Sequence, residues 1–166
     1  MKNKIDQLLN DATKNGVLRG VSVMVCRSDG DIYEGASGQA KGKAMDNDTV
    51  CVIHSMTKPI TAAAAMQLVE QGRINLDAPA GDICQYLGEV QVLEGFDADG
   101  KPKLRPPTSP VTLRQLLTHT SGFAHTTWNE VLRDYTIRTK TPPLTSLKRA
   151  AMEVPLMFDP GTRWEY

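Results

Sequence analysis

The sequence predicts an α+β fold, with an antiparallel sheet flanked by helices and followed by a helical region. Three observations support this class. Apolar side chains in residues 4–15 recur at helical spacing. Two β-prone runs, 21–26 and 32–36, flank an Asp-Gly step at 29–30, which is typical of a two-stranded hairpin. The alanine-rich stretch 59–71 then has the composition of a long helix.

Length and composition indicate one globular domain with a core, because 40% of the 166 residues are hydrophobic and 23% are charged. Nineteen basic residues balance nineteen acidic ones, which gives no electrostatic reason to expect nucleic acid or a membrane surface as partner. No apolar run approaches the roughly 20 residues that span a bilayer. The first residues lack the apolar core of a secretion signal. Cys26, Cys51 and Cys84 form no C-x-x-C pair, so we expect reduced, core-filling thiols in a cytoplasmic protein.

The remaining elements follow from turn and cap residues. Gly16 and Gly72 are expected to end the first helix and the long helix. The stretch 77–110, rich in Pro, Gly and Asp, predicts loop and short turns. Within it, Asp97–Gly100 predicts a turn rather than a calcium loop, because the other acidic ligands are missing. Three further helices are predicted over 112–118, 129–138 and 146–152, the first of them capped by Thr112. A turn is predicted at 159–161.

The most informative motif is Ser55-Met56-Thr57-Lys58, an S-x-x-K tetrad. Because Pro59 is tolerated only in the first turn of a helix, that helix is predicted to begin near Ser55 or Met56. Residues three apart on a helix share a face, so the Ser55 hydroxyl and the Lys58 amine are expected to be neighbours. A serine hydroxyl becomes a good nucleophile when a nearby base takes its proton. The plainer interpretation is a helix N-cap and a surface lysine.

Four blocks of the sequence resemble the serine β-lactamase and penicillin-binding protein superfamily, in the order and spacing of its class C β-lactamase branch. They are Val52–Thr61, Gln71–Pro79, Val111–Phe123 and Phe158–Tyr166. The stretch Val92–Asp97 looks more like the esterase and acyltransferase members, and family VIII carboxylesterases are closest in appearance. The resemblance implies a β-lactamase/transpeptidase-like fold.

The resemblance also implies how the chain is organised. Residues 1–166 would be the N-terminal part of a catalytic domain. Its sheet hairpin and nucleophile helix would lie in 1–76, and a helical and loop region in 77–166.

Roles for single residues follow from the same resemblance. Ser55 matches the acylated nucleophile, and Lys58 matches the amine that activates it. Tyr166 matches the tyrosine of the family's Tyr-x-Asn motif, whose phenol shares the base role. No cofactor or metal is implied, and the three histidines lack metal-ligand spacing. His119 and Ser121 are expected to serve a structural turn, although His119 is a possible base in a Ser–His pair.

The implied activity is that of a serine hydrolase acting through an acyl-serine intermediate, first of all a carboxylesterase on short-chain esters. β-Lactamase or D-alanyl-D-alanine carboxypeptidase activity stays open, as does acyl transfer to a small molecule. The family continues past Tyr166 to the acceptor pocket and the second oxyanion donor. We therefore expect the C-terminal remainder of the enzyme, in the same or a second chain, to be required for activity. A catalytically silent binding homologue is the non-enzymatic alternative.

Overall fold

The computed structural model describes residues 2–166, except for the side chain of Asp31. The chain divides between Ser55 and Met56 into two units, which we call the first unit and the second unit. The division predicted between residues 76 and 77 stays a prediction.

The first unit consists of one helix and a three-stranded antiparallel sheet in the order β1-β2-β3. The elements are α1 (Lys2–Lys14), β1 (Gly20–Arg27), β2 (Gly30–Ala40) and β3 (Lys43–Ala44). The predicted first helix and hairpin are thus confirmed. Arg27 pairs with Gly30, so Ser28 and Asp29 form a two-residue hairpin turn. A turn this short favours a left-handed glycine, and Gly30 has a φ of 139°.

Helix α1 is held on β2 by apolar burial and by hydrogen bonds. Leu9 of the helix and Tyr33 of the strand are both buried. The Tyr33 hydroxyl donates to Asp6 Oδ1 over 2.8 Å, and the hydroxyls of Thr13 and Ser37 lie 2.8 Å apart. Burial, followed by the hydrogen bond to the Asp6 carboxylate, raises the pKa of Tyr33. The polar ends of this small interface are therefore satisfied.

The second unit contains four helices, two strands and several 3-10 turns among its described residues. The helices and strands are α2 (Thr57–Glu70), α3 (Gln85–Glu89), β4 (Val92–Phe96), β5 (Pro102–Arg105), α4 (Leu113–Leu117) and α5 (Glu130–Arg138). The predictions of α2, α4 and α5 are confirmed. Thr112 caps α4 in a capping box with Gln115, and the Asn129 side chain caps α5.

Most residues of helix α2 are apolar, yet none of them is fully buried. The side chain of Ile60, for example, is 62% exposed. An isolated helix surface of this kind is unusual in a complete globular domain. Among the helices of residues 2–166, none has the length and apolar character that crossing a bilayer requires.

The middle of the chain is more regular than predicted. Strands β4 and β5 form an antiparallel hairpin, and α3 precedes it. The predicted turn is present between them, where Asp97 Oδ1 accepts the N–H groups of Asp99 and Lys101 at 3.0 and 2.8 Å. The expectation of loop and short turns throughout this stretch was wrong, because β4 also has a distant partner: a parallel bridge joins Val92 to Leu156.

The helix predicted over 146–152 is also wrong. Two 3-10 turns, Leu144–Ser146 and Arg149–Ala151, occupy this stretch. Leu147 separates them in a left-handed conformation with a φ of 56°. A left-handed residue breaks the i to i−4 hydrogen-bond ladder, so the two turns cannot merge into one α-helix.

The cysteines were expected to fill the core, and this prediction was wrong. Cys26, Cys51 and Cys84 are all exposed, and no disulfide joins them. Free cysteine is buried on average, but Cys26 lies at an exposed position of β1, and Cys51 and Cys84 lie outside the helices and strands.

The core of the second unit is centred on Leu156. It packs with Ala80, Val90, Val92 and Val111, and its side chain is 0% exposed. Its N–H donates to the Gln91 carbonyl at 2.8 Å, and its carbonyl accepts the Leu93 N–H at 2.9 Å. Leu156 therefore extends the β4 edge with backbone bonds while its side chain fills the core.

Replacing Leu156 by Ala is expected to destabilise the second unit by about 3 kcal/mol, because a fully buried leucine leaves a cavity. Urea unfolding with an unchanged m-value measures the loss. Leu147→Ala is the matched control, since this leucine is 93% exposed and its loss is expected to stay within roughly 0.5 kcal/mol. Equal effects of the two substitutions would contradict this assignment of the core.

Candidate active site

Ser55 lies in a short 3-10 turn, His54–Met56, at the end of the first unit. Its residue is exposed. Met56 is the N-cap of α2, which begins at Thr57. Ser55 thus lies just before the helix rather than inside it, within two residues of the predicted position. His54 has a φ of 44°, and non-glycine residues in this region concentrate at functional sites.

Lys58 and Tyr166 come together in the second unit although they are far apart in the sequence. Lys58 extends from the first turn of α2, and its Nζ lies 4.9 Å from the centroid of the Tyr166 ring. An ammonium group at this distance is attracted by the negative face of an aromatic ring. The structure therefore brings together the amine and the phenol of the sequence-predicted site.

Tyr166 is delivered to this place by pairing between two segments of backbone. One is the Thr118–Gly122 block, and the other is the C-terminal segment 157–166. The Met157 N–H donates to the Gly122 carbonyl at 2.7 Å, and the Gly161 N–H to the Thr120 carbonyl at 2.7 Å. The Glu165 N–H donates to the His119 carbonyl at 3.0 Å. Three bonds along the whole segment fix its path up to the residue before Tyr166.

Gly122 allows the two segments to approach closely. Its φ is 99°, and a Cβ at this position would collide with the Phe158 carbonyl oxygen and lie 3.0 Å from Leu156 Cβ. Only glycine combines this backbone conformation with the available space.

Asp159 anchors the turn that begins the final part of the C-terminal segment. Its carboxylate accepts two hydrogen bonds from the Arg105 guanidinium, at 2.9 and 2.7 Å, and one from the Thr108 N–H at 2.8 Å. The bonds from Arg105, followed by the bond from the Thr108 amide, hold the pKa of the Asp159 carboxyl far below its ordinary value. The turn predicted at 159–161 is confirmed, since the Thr162 N–H donates to the Asp159 carbonyl at 3.2 Å.

His119 lies beside Tyr166, a position that sequence reasoning missed. The centroids of the two rings are 4.9 Å apart with a 50° angle between planes. The imidazole also meets Trp164 edge-on, at 6.3 Å and 88°. Its φ of 57° places it in a tight turn, which the sequence did anticipate. The sequence around His119 did not predict the ring contact, because its partner, Tyr166, lies far away in the sequence. Ser121, by contrast, is buried.

Neither an apolar cavity in the second unit nor a metal cluster within the described part of the chain belongs to this site. An apolar cavity of about 840 Å³ opens between α3, α5 and the segment 140–144, but neither Lys58 nor Tyr166 lines it. Among the side chains that the structure describes, no group of three or more His, Cys, Asp or Glu is placed to hold a metal ion. The groups that meet in the second unit are therefore the Lys58 amine and the Tyr166 phenol, with His119 beside the phenol. The Ser55 hydroxyl stays the nucleophile predicted from the sequence.

Comparison with known proteins identifies the family. The profile of the family described as Beta-lactamase matches residues 5–166. The chain belongs to this family. It is 31% identical to a lovastatin esterase from Penicillium rubens over 98% of the chain and 43% of that protein. It is 37% identical to the acyltransferase mokF from Monascus pilosus over 74% of the chain and 30% of that protein.

Solved structures agree with this membership. A simvastatin synthase from Aspergillus terreus superimposes with a TM-score of 0.81 at 28% identity, covering 99% of this chain and 43% of that one. The predicted resemblance and the β-lactamase/transpeptidase-like fold are thus confirmed. The chain spans about two fifths of the length of relatives that it matches throughout. The fold described for residues 2–166 is accordingly part of the family's fold.

Gly122→Ala is expected to destabilise the second unit by about 3 kcal/mol, through a left-handed alanine and a clash with Phe158. Gly72→Ala is the control, because Gly72 also has a positive φ of 67° but no atom within 4 Å of an added Cβ. It is expected to cost only about 1 kcal/mol. Chemical denaturation measures both, and a G122A variant no less stable than G72A would contradict the close approach.

The Asp159 carboxylate is expected to make stability fall with acid. Its pKa is lower in the folded chain than in the unfolded chain. Its stabilising contribution is therefore complete above the unfolded value of about 4 and is lost as the pH falls below it. Thermal melting from pH 7 to 3 measures this loss. The D159N variant is expected to be less stable at pH 7 and to lose less stability on acidification.

Asp99→Asn serves as the control for Asp159, since the Asp99 carboxylate joins no ion pair among the described residues. It is expected to keep the pH dependence of the parent chain. If D159N kept the same dependence as D99N, the ion pair with Arg105 would not be a source of the acid sensitivity.

Proposed function

We propose that this chain carries the nucleophile and base of a serine hydrolase that acts through an acyl-serine intermediate. The observation that supports it best is the contact of 4.9 Å between Lys58 Nζ and the Tyr166 ring. These residue types match the amine and phenol positions of the family motif, and Ser55 stands three residues before Lys58 in the S-x-x-K tetrad. Membership of a family whose relatives include esterases and acyltransferases adds support.

The proposed reaction has two steps. Ser55 Oγ attacks the carbonyl carbon of the substrate while Lys58 and Tyr166 accept the hydroxyl proton. Backbone N–H groups, the Ser55 amide among them, stabilise the negative oxygen that develops. The bond to the leaving group then breaks, and the leaving group takes up the proton. Water attacks the acyl-serine ester in the second step, releasing the acid and restoring the Ser55 hydroxyl.

Short-chain carboxylic esters are the proposed substrate class. The esterase relatives, lovastatin esterase and esterase EstB from Burkholderia gladioli, support this choice. Acyl transfer is the second candidate, because several relatives have acyltransferase or methylbutanoyltransferase in their names. The two differ in whether water or an alcohol attacks the acyl-serine. β-Lactam or D-alanyl-D-alanine hydrolysis would use the same acyl-serine chemistry.

The remainder of the family domain is proposed to be required for activity. The chain spans about two fifths of the relatives that match it throughout. Helix α2 is mostly apolar and has no fully buried residue. Exposed apolar side chains such as Ile60 are the surface expected where further parts of a domain pack. We also propose a cytoplasmic location, because an odd number of cysteines without a C-x-x-C pair is the usage expected in a reducing compartment.

A fluorophosphonate probe, with the adduct mapped by mass spectrometry, tests the proposed nucleophile. In a protein completed with the remainder of the domain, we expect labelling on Ser55 and hydrolysis of p-nitrophenyl butyrate. Ser55→Ala is expected to abolish both, and Lys58→Met and Tyr166→Phe to lower kcat by about 10³-fold through loss of the base. Ser109→Ala, a change at another exposed serine, is expected to leave both unchanged.

Three outcomes would decide against parts of this proposal. A folded, completed protein without any adduct would favour a catalytically silent binding homologue. Faster turnover of a fluorescent penicillin than of the butyrate ester would favour β-lactam chemistry. Full ester hydrolysis by residues 1–166 alone would refute the need for the remainder.

A further inference from the structure

We infer that His119 is a positioning residue for Tyr166, and that its imidazole ring holds the phenol in the orientation in which Lys58 meets it. This inference rests on the proposed function, in which Tyr166 shares the base role. It assigns to the His119 ring a role beyond the structural turn that the sequence predicted.

The main chain of His119 is fixed on both sides. Its N–H donates to the Leu116 carbonyl at 3.4 Å, and its carbonyl accepts the Glu165 N–H at 3.0 Å. The first bond belongs to the end of helix α4, and the second to the C-terminal segment. With a φ of 57°, the residue adopts a backbone conformation that most side chains avoid but that His, Asn and Asp tolerate better. The imidazole therefore starts from a well-determined position.

The imidazole ring then contacts the phenol ring directly. Their centroids are 4.9 Å apart at 50°, within the range in which aromatic rings attract one another. The edge of Trp164, two residues before Tyr166, meets the same imidazole at 6.3 Å. A single histidine thus contacts both aromatic residues at the end of the C-terminal segment.

Tyr166 needs such a neighbour because the core does not enclose it. Its residue is 36% exposed, so rotation of the ring is limited by surface contacts rather than by close packing on all sides. Lys58 contacts the ring from α2 and His119 contacts it from the Thr118–Gly122 block. Transfer of a proton requires the donor and acceptor atoms within hydrogen-bond reach. Loss of the His119 ring would remove one of these two ring contacts and leave the orientation of the phenol less restricted.

The two substitutions His119→Asn and His119→Phe separate the ring from the rest of the residue. Asparagine tolerates a positive φ but has no aromatic ring. Phenylalanine keeps an aromatic ring but has no nitrogen to exchange a proton. At a φ of 57° it carries about 1–2 kcal/mol of backbone strain, which chemical denaturation of H119F measures separately from kcat. His125→Asn is the matched control, because His125 Nδ1 accepts the Thr127 N–H at 3.1 Å and an asparagine oxygen can accept a bond of this local kind.

The first measurement uses the 166-residue chain and needs no catalytic activity. Nuclear Overhauser effects are expected between ring protons of His119 and Tyr166. The Tyr166 ring resonances are expected to shift and to average in H119N, and to stay unchanged in H125N. Absence of these Overhauser effects in the folded chain, or unchanged Tyr166 resonances in H119N, would overturn the inference whether or not the protein is an esterase.

The second measurement uses p-nitrophenyl butyrate and the completed protein. H119N is expected to lower kcat by about 10- to 100-fold through misplacement of the phenol, with KM within about threefold because ground-state binding is unchanged. H119F is expected to restore most of kcat, and H125N to match the parent protein. Equal loss in H119F and H119N, with both folded, would overturn the assignment to the ring.

Failure of the proposed function would be recognised separately. It would show as hydrolysis that persists in Ser55→Ala, whereas failure of the inference would show as normal kcat in H119N.

Discussion

The backbone pairing between the Thr118–Gly122 block and the C-terminal segment is the interaction on which the candidate site depends. Its three hydrogen bonds carry the chain from the core residue Leu156 to the exposed Tyr166. The pairing requires a glycine at position 122, because Phe158 and Leu156 occupy the space of a side chain there. A local backbone requirement therefore determines whether the phenol reaches the amine of Lys58.

Several interactions outside the site support this pairing. Leu156 joins the segment to β4 through two backbone bonds and fills the core. Asp159 joins it to β5 through Arg105 and to the following loop through the Thr108 amide. The hairpin β4-β5, which contains no candidate catalytic residue, is thus the support for the turn before Tyr166. The same segment thus contributes to the core through Leu156 and to the candidate site through Tyr166.

The apolar surface of α2 is exposed in a chain that covers only part of its relatives. A mostly apolar helix with four alanines, such as α2, is stable in water mainly when other elements cover it. In the second unit it buries none of its residues, while structures of the family superimpose on less than half of their length. The helix that carries Lys58 therefore has apolar surface available for packing.

Local interactions explain what was predictable from the sequence. The first helix, the hairpin, α2 and the caps of α4 and α5 follow from spacing, turn residues and N-cap chemistry within a few residues. The S-x-x-K tetrad and the blocks around it were sufficient for the family, which the comparisons confirm. The catalytic roles of Ser55, Lys58 and Tyr166 stay predictions.

Only the tertiary structure decided the features that depend on contacts between distant residues. β4 forms where Val92 meets Leu156, the helix expected over 146–152 is interrupted at Leu147, and His119 meets a ring from the end of the chain. Hydrophobic periodicity and residue preference describe a segment and its immediate neighbours. They do not tell which distant carbonyl will accept a given backbone N–H. Those long-range hydrogen bonds place the Tyr166 phenol beside the His119 imidazole and the Lys58 amine.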